Sequence, residues 1–228
     1  MSVRENLELL EERIAAACVR AERKRSEVRL IAVAKTKPAE LVNEAIAAGV
    51  RDIGENRVQE AVAKRPLVAA GCRWHLVGNL QTNKAKKAVE VFDMIQSVDS
   101  ARLALELQKR CEQAGRRMPV LIEVNTSGEP TKHGVSPEEL PALVEMVIGL
   151  PMLNLKGLMT IGPGLAVEDP EASRQCFRML RRLAVECRER FGVALPELSM
   201  GMTSDFEVGI EEGATMIRIG TALFGVRQ

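Results

Sequence analysis

The sequence predicts an α/β fold of one domain, a closed (β/α)8 barrel with an extra helix ahead of the first strand. Three observations carry that expectation. Short apolar runs alternate with amphipathic stretches along the whole chain, which is the pattern of a parallel sheet covered by helices. Eight such runs can be counted, whereas an open flavodoxin-like sheet needs only about five. The length of 228 residues also lies close to the ~250 typical of such barrels. No low-complexity or Pro/Ser-rich linker divides the chain, so residues 1–228 read as a single domain.

The elements follow in order. Ser2-x-x-Glu5 fits a capping box, and Leu7, Leu10, Ile14, Ala17 and Cys18 recur behind it at helical spacing. The eight strands are expected at 29–34, 50–54, 73–78, 93–98, 120–125, 155–160, 197–200 and 216–220. Most are near-continuous apolar runs, as strands buried on both faces must be; Leu30-Ile31-Ala32-Val33-Ala34 is the clearest. Pro38 reads as the first residue of a helix presenting Leu41, Val42, Ala45 and Ile46 inward. Asp99-Ser100 begins another, running toward Gly115. Ser136-Pro137-Glu138-Glu139 joins a capping box to an N-terminal proline, the strongest helix start in the chain. Asp169-Pro170 opens a helix that carries Phe177, Leu180 and Ala184 toward the core.

Composition removes several classes of function. Lys plus Arg (32) against Asp plus Glu (31) leaves a net charge of +1, unlike the basic excess of a nucleic-acid binder. The clusters Arg23-Lys24-Arg25 and Lys84-Ala85-Lys86-Lys87 lie in charge-mixed helical stretches and read as solvated faces. Cys18, Cys72, Cys111, Cys176 and Cys187 show no Cys-x-x-Cys spacing and have only His75 and His133 beside them, so no metal centre is expected. They read as reduced thiols of a cytoplasmic protein. The start of the chain has no apolar segment resembling a signal peptide, and no run is long enough to span a bilayer. There is no tyrosine at all, which excludes any mechanism using a phenol as acid or base.

Barrel chemistry sits at the C-terminal ends of the strands. Lys35 directly follows the first run. If that position is buried, the ammonium is disfavoured and the amine becomes nucleophilic toward carbonyls, a Schiff-base candidate. The plainer alternative is a lysine whose stem packs while its head reaches water. Gly201-Met202-Thr203-Ser204 and Gly220-Thr221 follow the last two strands, where many barrels bind phosphate, and Ser204 or Asp205 could start an anion-attracting helix. Arg218 interrupts the apolar run Met216-Ile217-Arg218-Ile219. An arginine cannot shed its charge, so it needs an acceptor: a carboxylate, or a heterocyclic nitrogen. Lys35, Arg218 and a phosphate loop together describe a site for an aldehyde bearing a ring nitrogen and a phosphate. That is pyridoxal 5′-phosphate (PLP).

The sequence also resembles the pyridoxal phosphate homeostasis protein family. The stretches that carry the resemblance are Ala32-Val33-Ala34-Lys35-Thr36-Lys37-Pro38, Gly54-Glu55-Asn56-Arg57-Val58-Gln59-Glu60 and the run from Trp74 to Lys84. Gly157-Leu158-Met159-Thr160, the run from Leu198 to Asp205, and the run from Arg218 to Gly225 continue it. The resemblance implies a fold-type III barrel like the N-terminal domain of alanine racemase. It also implies that Lys35 holds PLP as a covalent aldimine and Arg218 faces the pyridine nitrogen. Thr203, Gly220 and Thr221 bind the phosphate by the same resemblance, and Asn56 lines the pocket. Two positions depart from it: Ala34 where the family commonly has Ser, and Arg57 where it commonly has an aromatic residue.

A charged Arg218 would keep the pyridine nitrogen unprotonated and weaken PLP as an electron sink. Racemases of this fold add a second acid/base, typically a tyrosine from an extra domain, and this chain has neither. The expected function is therefore holding and handing over PLP in vitamin B6 homeostasis, with no robust catalysis. The expected partners are PLP and PLP-dependent apoenzymes, with no nucleic acid or membrane, and the expected state is a monomer. The alternative is a racemase of low activity, with His75, Cys72 or Lys132 supplying the missing acid. A Schiff-base aldolase or phosphate-sugar isomerase would instead need an inward carboxylate near Lys35, for which Glu55 and Glu123 are the candidates, although Glu55 also reads as the first turn of a helix. Met159, Met202 and Trp74 read as packing residues, and the polar loop 126–134 with His133 stands where a gate would stand.

Overall fold

In the computed structural model, residues 2–225 are described; Met1 and residues 226–228 of the expected domain lie outside them. The chain starts with α1 (Val3–Arg20), then alternates strand and helix eight times. These are β1 (Arg29–Val33), α2 (Ala39–Ala47), β2 (Asp52–Glu55), α3 (Val58–Lys64), β3 (Arg73–Leu76) and α4 (Ala85–Val91). They continue through β4 (Met94–Val98), α5 (Ala101–Ala114), β5 (Met118–Glu123), α6 (Leu140–Ile148) and β6 (Leu153–Met159). Last come α7 (Arg174–Phe191), β7 (Glu197–Met202), α8 (Phe206–Glu211), β8 (Met216–Ile219) and α9 (Thr221–Phe224). All neighbouring strands pair in parallel, and β8 returns to β1 through Ile31 opposite Arg218, so the sheet closes into an eight-stranded barrel.

Two apolar cores result from the alternation of side chains along each strand. Ile31, Val33, Val77, Met94, Leu121, Met159 and Met216 fill the barrel itself. The larger core lies between the sheet and the helix ring, where Trp74, Phe92, Phe177 and Phe206 are fully buried. Trp74 and Met159 are thus packing residues, as their sequence positions suggest.

The caps explain the helix starts. The Ser2–Glu5 capping box forms, with Ser2 Oγ accepting the Glu5 N–H and Glu5 accepting the Ser2 N–H. Ser100 caps α5, which ends on Gly115 at φ 59°. Ser136 and Glu139 also bond reciprocally, yet they close only a turn, and α6 begins at Leu140. Pro38 stands at the cap position one residue before α2, not inside it. The last two helices are short, so little covers β8 on the outside. α1 supplies that cover by packing on α8, α9 and α2, and Asn6 donates to the Leu223 carbonyl at 3.0 Å. Arg13 and Arg20 of α1 pair with Glu207 and Glu211 of α8. No helix among the described residues is long and apolar enough to cross a membrane.

Candidate functional site

A cavity of about 510 Å³ opens at the C-terminal mouth of the barrel, within the size range of small-molecule sites. Lys35, Asn56, Thr203, Arg218, Gly220 and Thr221 all line it, brought from the ends of β1, β2, β7 and β8. Ser204, Met202, Val33, Val77, Ile161 and Val167 complete the wall. Gly220 lets the β8 end run close to β1: a Cβ there would lie 3.2 Å from the Val33 carbonyl. Gly78 is needed for an even closer approach, since its Cβ would meet the Asn56 carbonyl at 2.5 Å.

Arg218 forms the floor. It is 4% exposed, its Nη1 donates to Ser199 Oγ at 2.7 Å, and its Nη2 donates to the Thr160 carbonyl at 2.7 Å. Both acceptors are neutral, and Arg218 has no ion pair among the described residues. Burial lowers its pKa to about 10, with Glu123 and Asp205 pulling the other way, so the guanidinium stays charged at neutral pH. Glu123, a buried carboxyl at the end of β5, is one of these two. Burial pushes Glu123 up to about 7, reinforced by the Asp99 charge and opposed by Arg218, and its Oε2 has no hydrogen-bond partner.

Lys35 takes the plainer of its two expected forms, with its head in water and its amine not buried. β1 ends two residues earlier, and Lys35 sits exposed in a turn at the cavity rim. What distinguishes Lys35 is therefore its position at the cavity rim rather than burial. The turn is held by α3 from both sides. Lys64 Nζ donates to the Ala34 carbonyl at 2.7 Å and pairs with Glu55. Glu60 Oε2 accepts the Thr36 N–H at 2.9 Å, and Thr36 itself has φ 62°, unusual for a β-branched residue.

The remaining candidates divide by location. Glu55 faces outward to Lys64, so it is no inward carboxylate; burial raises its pKa, partly offset by that lysine. His75 lies deep in the barrel between Asp52 and Gln96, and Cys72 stands before β3 at the opposite mouth. Lys132 pairs with Glu129 and donates to the Gly162 carbonyl. In loop 126–134, Asn125 accepts from Ser127 and Gly128 and donates to Glu129, while His133 meets Asn79 at 3.3 Å. Asp205 does precede α8, but its carboxylate accepts the Met202 N–H at 2.7 Å and the Ser173 hydroxyl at 2.5 Å. A negative group therefore occupies the place expected to attract an anion. Arg57 lies outside the cavity, in an adjoining groove of about 690 Å³ that shares Asn56. All five cysteines are free, and burial pushes their thiols up, Cys111 to about 11. No cluster of metal-ligating residues occurs among the described residues.

Sequence reading passed over the polar interior: Asp52, Gln96, Thr160 and Ser199 are all buried. A signal existed. Gln96 and Ser199 interrupt apolar runs as Arg218 does, and a polar side chain inside a buried strand requires a partner across the barrel.

Residues 6–228 match the family model of the alanine racemase N-terminal domain. The chain is 47% identical to the pyridoxal phosphate homeostasis protein of Aquifex aeolicus, covering 100% of both, and 43% identical to that of Pseudomonas aeruginosa, covering 99% and 96%. Among solved structures, PipY of Synechococcus elongatus with PLP bound superposes with a TM-score of 0.82. That protein is 41% identical, and the match covers 94% of this chain and 99% of that one. Alanine racemase of Bartonella henselae shares the fold, with a TM-score of 0.76 at 14% identity over 98% of this chain and 58% of that one. The chain belongs to the pyridoxal phosphate homeostasis protein family.

Proposed function

We propose that this member of the family binds PLP in the cavity at the C-terminal mouth, as a Schiff base on Lys35, and serves to store and deliver it. The observation that carries the reading is a pair: an exposed amine at the rim and, at the floor of the same cavity, a buried guanidinium with no salt bridge among the described residues. A carboxylate at the floor would suit a protonated ring nitrogen. A charged arginine suits an unprotonated one, to which it donates. Thr203, Gly220 and Thr221 offer hydroxyls and close backbone for the phosphate, and Asn56 lines the same cavity from the end of β2. The residues present thus fit the group. When bound, PLP supplies an electron sink for carbanions at the Cα of amino acids, and the partner of its ring nitrogen tunes that strength.

The chain's own residues favour holding over turnover. Arg218 keeps its proton at neutral pH and so gives none to the ring. His75 and Cys72 stand away from the cavity, and Lys132 is engaged with Glu129 and the Gly162 carbonyl. None of these three candidates is therefore placed as the second base that a two-base proton transfer needs. The proposed setting is the cytoplasm, where the free thiols stay reduced, with a monomer passing PLP to apoenzymes. Wild-type protein mixed with PLP should turn yellow, with an absorption band bleached by borohydride, and Lys35→Ala should show none. A wild type that stays colourless sinks the reading. Transfer of PLP to an apoenzyme, without solvent deuterium entering alanine at enzymic rates, distinguishes a carrier from a racemase.

A further inference from the structure

A hydrogen-bonded column runs through the barrel from the cavity floor to the opposite mouth. Arg218 Nη1 donates to Ser199 Oγ at 2.7 Å, and Ser199 Oγ donates to Gln96 Oε1 at 2.7 Å. Gln96 Nε2 donates to His75 Nδ1 at 3.1 Å, and His75 Nε2 donates to Asp52 Oδ1 at 2.8 Å. Arg73, whose side chain is 55% exposed at the far mouth, closes the column on Asp52 Oδ2 at 2.8 Å. Every inner member is buried, and the strands concerned are β8, β7, β4, β3 and β2.

The column has a direction. Arginine can only donate, so Ser199 must accept from it and pass its own proton to the Gln96 carbonyl. That choice turns the Gln96 amide toward His75, which must accept on Nδ1 and carry its proton on Nε2, where Asp52 receives it. Each donor meets an acceptor only in this one arrangement. Asp52 fits its end of it: burial alone would raise its pKa, but the bonds from His75 and Arg73 bring it below the usual value. An apolar layer of Val, Ile and Met would fill the same volume without any desolvation cost. A fully satisfied polar network instead fixes a single geometry for its members.

We propose that Ser199, Gln96, His75 and Asp52 are positioning residues that aim the Arg218 guanidinium at the ring nitrogen of the bound cofactor. The column fixes one Nη and the Thr160 carbonyl the other, which leaves the guanidinium plane no free rotation. Its aim is set over the length of the barrel, so a change at Asp52 reaches the cofactor without touching it. The proposal rests on the reading of the cavity as a PLP site.

The test uses full-length protein loaded with PLP, with circular dichroism reporting the fold. Its readouts are the absorption maximum and the rate of PLP release on dilution. Ser199→Ala and Gln96→Leu should shift the band and speed release on the order of tenfold, the size of one lost buried hydrogen bond. Ser199→Thr, which keeps the hydroxyl, should restore the wild-type band. Asp52→Asn should move both readouts the same way by a smaller factor, although it lies at the far mouth. Folded Ser199→Ala with wild-type spectrum and release overturns the proposal, as does Ser199→Thr behaving like Ser199→Ala. Should Gln96→Leu fail to fold, Ser199→Ala and Asp52→Asn decide. A wild type with no borohydride-sensitive band overturns the cofactor reading instead.

Discussion

Two buried cations of this barrel are treated in opposite ways. At the interface between β2 and α3, Lys64 meets a carboxylate of its own, Glu55, and a backbone carbonyl, Ala34. At the floor of the cavity, Arg218 hydrogen-bonds to a hydroxyl and a carbonyl, while Glu123, which favours its charge through space, is itself pushed toward its neutral form. Both positions cost desolvation. Among the described residues, only the first has a carboxylate within salt-bridge distance. The difference separates a charge paired within the fold, which supports the turn presenting Lys35, from the charge that the proposed function assigns to an external acceptor. An isolated buried ion is unstable enough that its persistence calls for a partner.

The contrast can be broken by substitution. The largest effect is expected at the paired site. Lys64→Met leaves Glu55 buried alone and should cost about 3–5 kcal/mol in urea unfolding at pH 8. The loss should shrink at low pH, where Glu55 takes up a proton. A cost under 1 kcal/mol at pH 8 would remove the distinction.

Glu123→Gln tests the unpaired region from its other side. The pKa of Glu123 is raised from 4.5 to about 7, so its favourable contribution is complete below pH 4.5 and is lost as pH rises through 7. The rise corresponds to about 3 kcal/mol. Glu123→Gln should therefore stabilise the protein by that order at pH 8 and leave it unchanged at pH 4. Equal effects at the two pH values would contradict the assignment.

Arg218→Met should leave the protein without cofactor within about 1–2 kcal/mol of wild type, because relief of desolvation offsets two lost hydrogen bonds. The same substitution should strip the protein of tight PLP binding. If it instead destabilises the cofactor-free protein as strongly as Lys64→Met does, Arg218 is structural. The smallest effect is expected at Glu60→Ala, which frees the Thr36 N–H and should cost about 1 kcal/mol, while slowing formation of the Lys35 adduct.

Much of this was legible beforehand, for reasons specific to the residues. Apolar runs such as Leu30–Ala34 are read the same way wherever a strand is buried on both faces, so all eight strands appear within two or three residues of expectation. Lys35, Arg218 and the loops at Thr203 and Gly220 were visible because barrels place chemistry at strand ends. Other features depended on distance in space. Five apolar residues before Lys35 left a buried amine and a solvent-reaching head both open; the strand stops at Val33 and the turn lifts Lys35 to the rim, which selects the second. Glu55 looked like an inward carboxylate until the alternation of side chains along β2 turned it to Lys64. Ser136 and Glu139 form their box, yet the helix waits for Leu140.

The sequence by itself determined the alternation of strand and helix, the number of strands, and which residue types stand at the strand ends. These follow from local patterns of apolar spacing and capping. The tertiary structure decided which polar side chains inside the strands meet one another. Asp52, His75, Gln96, Ser199 and Arg218 come from five strands spread over 167 residues of chain, counting from 52 to 218, and share no local signature. Closing the barrel brings them into one column, because alternate residues of every strand point to the same axis. That convergence is a property of the closed sheet, and it is what gives a buried arginine a fixed direction.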